Sequence, residues 1–313
     1  MNGGPRRFGL ADLPEIGRAV VTMGVFDGVH LGHRAILDAT RDTAAEGGAT
    51  SLALVFDPPP DEVLRPGSTV PRLAPLHVNL GRIEALVDRA IPIRFDEVLR
   101  EFSAEAFLDA LAPALALGGL TMSPRSAFGR DRAGTAARMQ ELGAERGFSV
   151  RVVEPVDVGG AIVSSTRIRS AIAAGNVEEA RALGVVPYLE GIVVEGDRRG
   201  RELGFPTANL QFGYRPAMPS LGVYAGRVTE AGPTVSAGHP ALISIGTRPT
   251  FHDGAEVLAE VHLLDFDGDL YGLRLGVELL TRLRDEQRFA DAGALVAEMQ
   301  RDAELGRAVL GMT

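Results

Sequence analysis

The sequence has 313 residues, of which 45% are apolar and 23% charged, and its formal net charge is −9. This length and apolar content suffice for two hydrophobic cores, while the acidic balance provides no overall field that would attract nucleic acid or an anionic membrane. Cysteine is absent, which excludes disulfides and cysteine nucleophiles, and lysine is absent, which excludes a Walker A phosphate loop.

Strands and helices alternate in the first part of the chain, from residue 18 to about residue 184. Short apolar runs predict strands at 19–23, 51–56 and 149–153. Apolar residues at helical spacing predict helices over 79–90, 104–117, 167–174 and 177–183. This alternation predicts an α/β fold with a doubly wound parallel sheet, in which ligands bind at the carboxyl ends of the strands.

The character of the chain changes after about residue 185. Short β-type runs, separated by Gly, Pro and Asp turns, occur at 191–194, 223–228, 241–245, 257–264 and 273–280, and one helix is expected at about 290–305. This pattern predicts an antiparallel barrel or sandwich. We therefore expect two domains, 1–184 and 188–313.

An acidic segment between the last two of these runs has the composition of a calcium loop. It reads Asp265-Phe266-Asp267-Gly268-Asp269, but Leu270 and Gly276 occupy the positions where an EF-hand loop needs Gly and Glu. We interpret Asp267-Gly268 as a hairpin turn between two strands.

The segment 24–33 reads Gly-Val-Phe-Asp-Gly-Val-His-Leu-Gly-His and connects the first predicted strand to a helix that begins near Leu31. Its glycines permit a strained turn and the close approach of a ligand. The start of the helix presents free N–H groups, and His30 and His33 lie on one face there, so that they can bracket one anion. The pattern favours binding of a nucleotide phosphate. The alternative is a Gly-rich turn whose histidines only cap the helix.

A second candidate segment, 197–210, combines a loop rich in Gly and Arg with the string Gly-Phe-Pro-Thr-Ala-Asn. Thr207 and Asn209 offer a hydroxyl and an amide oxygen, which are hard ligands that suit Mg²⁺ shared with triphosphate oxygens. The alternative is a surface hairpin with a solvated basic tip.

Glu260 is the candidate acid of the second part. In a strand, Glu260 and His262 fall on one face, while Val261 and Leu263 fall on the other. An exposed acid on a half-buried strand is the alternative interpretation.

These segments, taken in order, resemble the prokaryotic bifunctional riboflavin kinase/FAD synthetase family. In the first part, segment 24–33 is similar to its nucleotidyltransferase motif, and Val163-Ser164-Ser165-Thr166-Arg167-Ile168-Arg169 is similar to a second motif of that domain. In the second part, similarity to the riboflavin kinase domain extends through 204–209, 222–226, 245–251, 260–266, 269–272 and 282–289. The resemblance implies a Rossmann-like amino-terminal nucleotidyltransferase domain followed by a carboxyl-terminal antiparallel β-barrel riboflavin kinase domain.

The resemblance also implies two transferase activities: a riboflavin kinase that makes FMN and ADP from riboflavin and ATP, and an FMN adenylyltransferase that makes FAD and pyrophosphate from FMN and ATP. The partners are then these small molecules, with Mg²⁺ as the cofactor, and neither nucleic acid nor a membrane. Because no apolar stretch has the length of a membrane span or the position of a signal peptide, we expect a cytoplasmic protein.

Site residues follow from the resemblance motif by motif. The catalytic residues would be Glu260, as the base for the riboflavin 5′-hydroxyl, and His30 and His33. ATP would be bound by Gly24, Phe26, Asp27, Gly28, Gly32, Ser164, Ser165, Thr166, Arg169, Gly196, Arg199, Gly200, Gly204, Pro206, Thr207 and Asn209. The flavin would be bound by Tyr224, Arg284, Glu286 and Phe289, and Mg²⁺ by Thr207 and Asn209.

The first part departs from the family pattern in three places. Pro58-Pro59-Pro60 replaces Pro-His-Pro, Ser123-Pro124-Arg125-Ser126 replaces a segment with an acid and an aromatic residue, and Asn79 occupies a region that usually has a helix-borne Lys. Each missing group would help to hold FMN or to align the two phosphates. Two alternatives therefore remain: a monofunctional riboflavin kinase whose first domain is degenerate or uses another nucleotide or acceptor, and a non-catalytic flavin- or nucleotide-binding module.

Overall fold

The structure is a computed structural model, and it describes residues 4–65, 67–196, 204–249 and 255–312. The chain forms two compact units. The first contains the residues up to Val70 together with Pro75–Ser165, and the second contains Pro71–Ala74 and the residues from Thr166 onward.

The first unit is built on a parallel sheet with the strand order β3-β2-β1-β4-β7 among the described residues. These strands are β1 (Gly17–Gly24), β2 (Thr50–Asp57), β3 (Arg89–Arg94), β4 (Leu115–Met122) and β7 (Ser149–Val152). The β2 run Leu52–Val55 is fully buried, as expected for a strand covered on both faces. The strand order reverses between β1 and β4, so the carboxyl ends of these two strands border a crevice of the kind that binds ligands in such sheets.

Helices accompany this sheet, and short strands form two hairpins in its loops. The helices of the first unit are α1 (Leu31–Glu46), α2 (Pro60–Leu64), α3 (Leu76–Glu84), α4 (Glu97–Arg100), α5 (Ala104–Leu111) and α6 (Ala136–Arg146). Two small antiparallel pairs are formed by β5 (Ala127–Phe128) with β6 (Gly134–Thr135), and by β8 (Asp157–Val158) with β9 (Ala161–Ile162).

Two of the predicted helices extend too far. The helix predicted over 79–90 is α3, which ends at Glu84 and is followed by β3, and the helix predicted over 104–117 ends at Leu111 and is followed by β4. The reason for the first error is that Leu80, Ile83 and Val87 all contact one hydrophobic cluster, so their helical spacing continues beyond the helix itself. The remainder of the alternation, and the parallel sheet that it predicts, are confirmed.

The second unit contains a closed antiparallel barrel, with the strand order β10-β11-β14-β13-β12-β15 among the described residues. Its strands are β10 (Tyr188–Val194), β11 (Ala208–Gln211), β12 (Gly222–Glu230), β13 (Pro240–Pro249), β14 (Ala255–Leu263) and β15 (Arg274–Asp285). Alternate residues of each strand fill the interior; on β14 these are Ala259, Val261 and Leu263. The barrel is therefore confirmed, whereas the hairpin expected at Asp267-Gly268 is wrong, because β14 pairs with β11 and β13 and not with β15.

In the described part of the second unit, the barrel is accompanied by the helices α7 (Ser165–Ala173), α8 (Val177–Ala182) and α9 (Ala292–Val309). Val177 belongs to the hydrophobic cluster of the barrel, and Nη1 of Arg181 donates to the carbonyl oxygen of Leu280 on β15 at 3.0 Å. The helices α7 and α8, which the sequence analysis includes in the first domain, thus group with the barrel by their contacts, and the division between the units falls just after Ser165.

Candidate active sites

The segment 24–33 forms a tight turn between β1 and α1. Phe26, Gly28 and Val29 have left-handed backbone angles, with φ of 50°, 82° and 49°. His30 is the N-cap of α1, and its Nδ1 accepts the backbone N–H of His33 at 3.2 Å. The expected helix start near Leu31 is confirmed, and the first turn of α1 lies just beyond the carboxyl end of β1.

The two histidine rings of this turn are stacked. Their centroids are 3.6 Å apart and their planes differ by 15°. A Cβ atom at Gly32 would lie 3.3 Å from the ring of His30, so the glycine leaves room for that ring. His33 also contacts the edge of Phe26, with a centroid separation of 5.2 Å. The stacked pair is thus held by its neighbours at the start of α1.

One cavity of about 360 Å³ collects most of the residues predicted to bind ATP in the first unit. Those that line it are Gly24, Phe26, His30, Gly32, His33, Ser164 and Ser165. Oγ of Ser165 donates to the carbonyl oxygen of Asp27 at 3.2 Å and so joins the two motifs. Two segments 138 residues apart in the sequence therefore meet at this cavity.

Four of the predicted ATP-binding residues of the first motifs do not line this cavity. Asp27 and Gly28 are buried, and both form hydrogen bonds with the carboxamide of Asn79. Thr166 and Arg169 belong to the second unit, in which Nε of Arg169 donates to the carbonyl oxygen of Pro71 at 2.7 Å.

The segment 123–126, which departs from the family pattern, also lines the cavity. It contributes Ser123, Arg125 and Ser126, and Glu154 joins them from the loop after β7. The hydroxyls of Ser123 and Ser126 are 2.9 Å apart and hydrogen-bonded to each other. From the sequence, this segment is notable only for the groups that it lacks, and no site role is predicted for its own residues. Its position directly after β4, next to β1 at the reversal of strand order, is the signal that would have placed it in the site.

A second cavity of about 220 Å³ adjoins the first and shares Met23, Gly24, Met122 and Ser126 with it. Phe56 and Phe128 contribute aromatic walls, and Arg132 contributes a cation. Pro60, the last residue of the triple-proline segment, lines it as well. The first unit thus offers two adjoining spaces, each with polar or charged side chains set in a mainly apolar lining.

The barrel has its own cavity, of about 540 Å³. Gly196, Pro206, Thr207 and Asn209, which the sequence predicts to bind ATP, all line this cavity. A Cβ atom at Gly196 would clash with the carboxamide of Asn209, so the absence of a side chain there is what admits the amide. Gly204 is exposed, with φ of 85°, and Arg199 and Gly200 lie outside the described residues.

The polar residues of this cavity face a wall that the sequence analysis did not identify. Val193, Val261, Leu263 and Phe266 supply apolar surface, and Tyr271 lies at the exposed side. Asp265, next to Phe266, is bound by Arg307 at 2.6 Å, and this hydrogen bond lowers the pKa of the Asp265 carboxyl. An apolar wall beside a hydroxyl and an amide suits a ligand with both a flat ring and phosphates.

Glu260 lies directly opposite Asn209 in the pairing of β11 with β14. On its other side it pairs with Ser244 of β13. The Cβ atoms of directly opposed residues lie about 5 Å apart, so Glu260 is a neighbour of Asn209, which lines the cavity, whereas Glu260 is not among the described residues of the lining. His262 lies on the same face, and its Nδ1 is 2.8 Å from the carbonyl oxygen of Pro206.

The four residues predicted to bind the flavin occupy different environments. Tyr224 is fully buried in the barrel core, and its hydroxyl donates to the carbonyl oxygen of Ser220 at 2.7 Å. Arg284 binds Asp302 of α9 with two nitrogens, and its guanidinium carbon is 5.8 Å from the ring centroid of Phe289. Glu286 is exposed, close to the Cα atom of Gly246.

The two units together define the class of the protein. A switch-point cavity with stacked histidines at a helix start, and a barrel cavity lined by oxygen donors, are features typical of a two-domain transferase that handles nucleotide phosphates. Comparison with known proteins specifies the class further. A family model described as FAD synthetase matches residues 13–167, and one described as riboflavin kinase matches residues 183–310.

Full-length relatives agree with these matches. The chain is 38% identical to a bifunctional riboflavin kinase/FMN adenylyltransferase of Pseudomonas fluorescens, over 95% of this chain and 94% of that one. It is 36% identical to the Escherichia coli (strain K12) protein of the same description, over 97% and 96%. A crystal structure of a protein from Streptococcus pneumoniae described as a macrolide-efflux protein superposes with a TM-score of 0.85 at 30% identity, covering 96% of this chain and 97% of that one.

The chain belongs to the bifunctional riboflavin kinase/FMN adenylyltransferase family, and it is a transferase with both of these activities. The resemblance stated from the sequence is thereby confirmed. Within the described residues, no helix has the length and apolar character needed to cross a membrane.

Proposed function

We propose that adenylyl transfer to FMN takes place in the paired cavities of the first unit and that riboflavin phosphorylation takes place at the barrel cavity. The observation that carries this proposal is the grouping of the motif residues: His30, His33, Ser164 and Ser165 line one cavity, and Thr207 and Asn209 line the other beside Glu260. Each unit thereby has the groups that its own reaction needs.

In the first unit, the ATP phosphates bind against the start of α1. The imidazoles of His30 and His33 and the hydroxyls of Ser164 and Ser165 line this space, and the positive end of the α1 dipole adds to the stabilisation of negative charge there. Arg125 adds a full positive charge to a protein whose net charge is negative. These groups stabilise the charge that develops as the α-phosphoryl group is transferred and pyrophosphate leaves.

FMN binds in the adjoining cavity of the first unit. Phe56 and Phe128 provide surfaces for the flavin ring, and Arg132 provides a partner for the phosphate. The FMN phosphate is already ionised at neutral pH, so its oxygen attacks the α-phosphorus without a protein base. The contribution of the protein is therefore to hold the two phosphates in line.

In the second unit, Thr207 and Asn209 fit Mg²⁺, because their hydroxyl and amide oxygens are hard donors that line one cavity. Mg²⁺ bound there would neutralise charge on the triphosphate oxygens of ATP. The apolar wall formed by Val193, Val261 and Leu263 receives the adenine ring.

Glu260 acts as the base of the kinase reaction. It takes the proton of the riboflavin 5′-hydroxyl as that oxygen forms a bond to the γ-phosphorus, and the bond between the γ-phosphorus and the bridging oxygen breaks to release ADP. The neighbouring Asn209 keeps the carboxylate close to the phosphates.

The variant Glu260→Gln tests this assignment, because it keeps the shape of the side chain and removes the base. We expect FMN formation from riboflavin to fall by about 10²–10⁴-fold, while FAD formation from supplied FMN is unchanged. Glu304→Gln, at an exposed position on α9, is the control. FMN formation at the rate of the parent in Glu260→Gln would refute the role of Glu260.

A further inference from the structure

Asn79 is a buried polar residue to which the proposed reactions assign no role. It lies on α3 and is 5% exposed. Its neighbours on the helix, Leu80 and Ile83, pack in a hydrophobic cluster that also contains Phe26 and Val29 of the turn after β1. The helix α3 is therefore packed against that turn, and Asn79 meets the turn beside the apolar contact.

The carboxamide of Asn79 makes hydrogen bonds to two successive residues of the turn. Its Oδ1 accepts the backbone N–H of Gly28 at 3.0 Å, and its Nδ2 donates to Oδ1 of Asp27 at 3.4 Å. Asp27 is itself only 2% exposed. One side chain thus joins α3 to the backbone that directly precedes His30.

The backbone of the turn requires external support. Phe26 and Val29 have φ near +50°, a region that is unfavourable for residues with a Cβ atom and most of all for a β-branched one. Such angles persist only where surrounding contacts hold them. Because His30 and α1 follow at once, the direction of the helix N-terminus and of both imidazoles depends on this turn keeping its shape.

The position demands a side chain that accepts and donates at the same time. A carboxylate there would face the carboxylate of Asp27 and repel it, and an alanine would leave the buried N–H of Gly28 without this acceptor. A lysine would serve Asp27 but has no acceptor for Gly28. We propose that Asn79 is a positioning residue for adenylyl transfer, which holds the turn so that His30, His33 and the start of α1 meet the ATP phosphates. This inference rests on the function proposed for the first unit.

The test compares Asn79→Ala, Asn79→Leu and Asn79→Asp with Glu84→Ala, an exposed position on the same helix. FAD formation from FMN and ATP is measured by steady-state kinetics, and FMN formation from riboflavin on the same samples reports that the second unit is folded. Far-UV circular dichroism and the thermal unfolding of the same samples report that the first unit is folded. We expect kcat/KM for ATP in FAD formation to fall about tenfold or more in Asn79→Ala and Asn79→Leu, while KM for FMN stays within about twofold. We expect Asn79→Asp to lose more activity than either, although Asp matches Asn in shape.

If Asn79 served packing alone, the loss of activity would be greatest in Asn79→Ala, because Asp and Leu preserve the volume of the side chain better than Ala does. The kinetic constants for ATP and for FMN would then change alike. Either result overturns the proposal, as does a kcat/KM for ATP within about twofold of the parent in Asn79→Ala. The function proposed for the first unit is judged separately, by the loss of FAD formation in His33→Ala. If His33→Ala loses FAD formation and Asn79→Ala keeps it, only the inference about Asn79 fails.

Discussion

The imidazoles of His30 and His33 stack face to face, with centroids 3.6 Å apart, at the start of α1. The two residues are also joined by a hydrogen bond, in which Nδ1 of His30 accepts the backbone N–H of His33. Both rings line the cavity that holds Ser164 and Ser165. His30 thus caps the N-terminus of α1, and His33 lies in the first turn of the same helix.

Replacing His33 should therefore affect one activity and spare the other. We expect His33→Ala to lower FAD formation from FMN by about 10²-fold or more, because a group that stabilises charge in the transition state is lost. FMN formation from riboflavin should be unchanged, because it takes place in the other unit. Arg41→Ala, which removes an exposed cation from the same helix, is the control. Equal losses of both activities in His33→Ala would contradict the separation of the sites.

Asn209 should govern the metal requirement of the kinase reaction. We expect Asn209→Ala to raise the Mg²⁺ concentration needed for half-maximal FMN formation by about tenfold, because an oxygen ligand is removed. Gln211→Ala, two residues further along β11 and exposed, is the control. A titration with MgCl₂ at fixed ATP measures the effect. An unchanged Mg²⁺ requirement with FMN formation still measurable would argue against Asn209 as a ligand.

The ion pair between Arg284 and Asp302 should stabilise the second unit. The two side chains are 16% and 7% exposed, and Nη2 of Arg284 is 2.7 Å from Oδ2 of Asp302. We expect Arg284→Ala to lower the free energy of unfolding by about 3 kcal/mol, because it leaves the carboxylate of Asp302 buried without this partner. Urea denaturation measures the loss.

Arg301→Ala is the matched control for Arg284→Ala, because Arg301 is exposed and its bond to Glu298 is a surface pair. Its effect on the free energy of unfolding should stay within about 1 kcal/mol. If Arg284→Ala is as stable as Arg301→Ala but has a raised KM for riboflavin, then the guanidinium serves the flavin, as the sequence analysis expected, and not the attachment of α9.

Tyr188 should make the barrel sensitive to alkaline pH. Its hydroxyl donates to Glu190 at 2.9 Å, and Glu190 also accepts from Arg274 at 2.9 Å. Burial, followed by the negative charge of Glu190, raises the pKa of the Tyr188 phenol above its ordinary value of about 10. The stabilisation from this group is therefore complete below about pH 10 and is lost as the pH rises further, because the unfolded chain ionises first.

The variant Tyr188→Phe isolates this effect. At pH 8 it should be less stable than the parent by about 1 kcal/mol, since a hydrogen bond to a charged group is lost. The difference in free energy of unfolding should shrink as the pH is raised above about 10. A difference that is constant from neutral to strongly alkaline pH would contradict the assignment.

Local residue spacing was sufficient to predict the elements whose apolar residues follow a clear helical or strand period. The strand before Gly24, the helix start at Leu31 and the alternation of Glu260 with Val261 follow from residue spacing alone, and all appear in the structure. By contrast, β11 has only four residues, and its strand character comes from pairing with β10 and β14. No local period reveals such a strand.

The polar contacts of the site were the hardest part to predict. Asn79 is 51 residues from Gly28 in the sequence, and its place on a helix face next to Leu80 gives no local sign of what it meets. The place of Arg125 could not be predicted for a different reason, because its segment differs from the family pattern and was noted only for the groups that it lacks. The structure shows that the replacement segment still lines the cavity. Long-range contacts of this kind depend on the packing of the whole unit.

The two activities are tested most directly by incubating the purified protein with riboflavin, ATP and Mg²⁺ and then separating the flavins by chromatography. We expect FMN to appear first and then to be converted to FAD, with one pyrophosphate released for each FAD. Accumulation of FMN without FAD or pyrophosphate would contradict an active site in the first unit, and unchanged riboflavin would contradict the kinase site in the barrel.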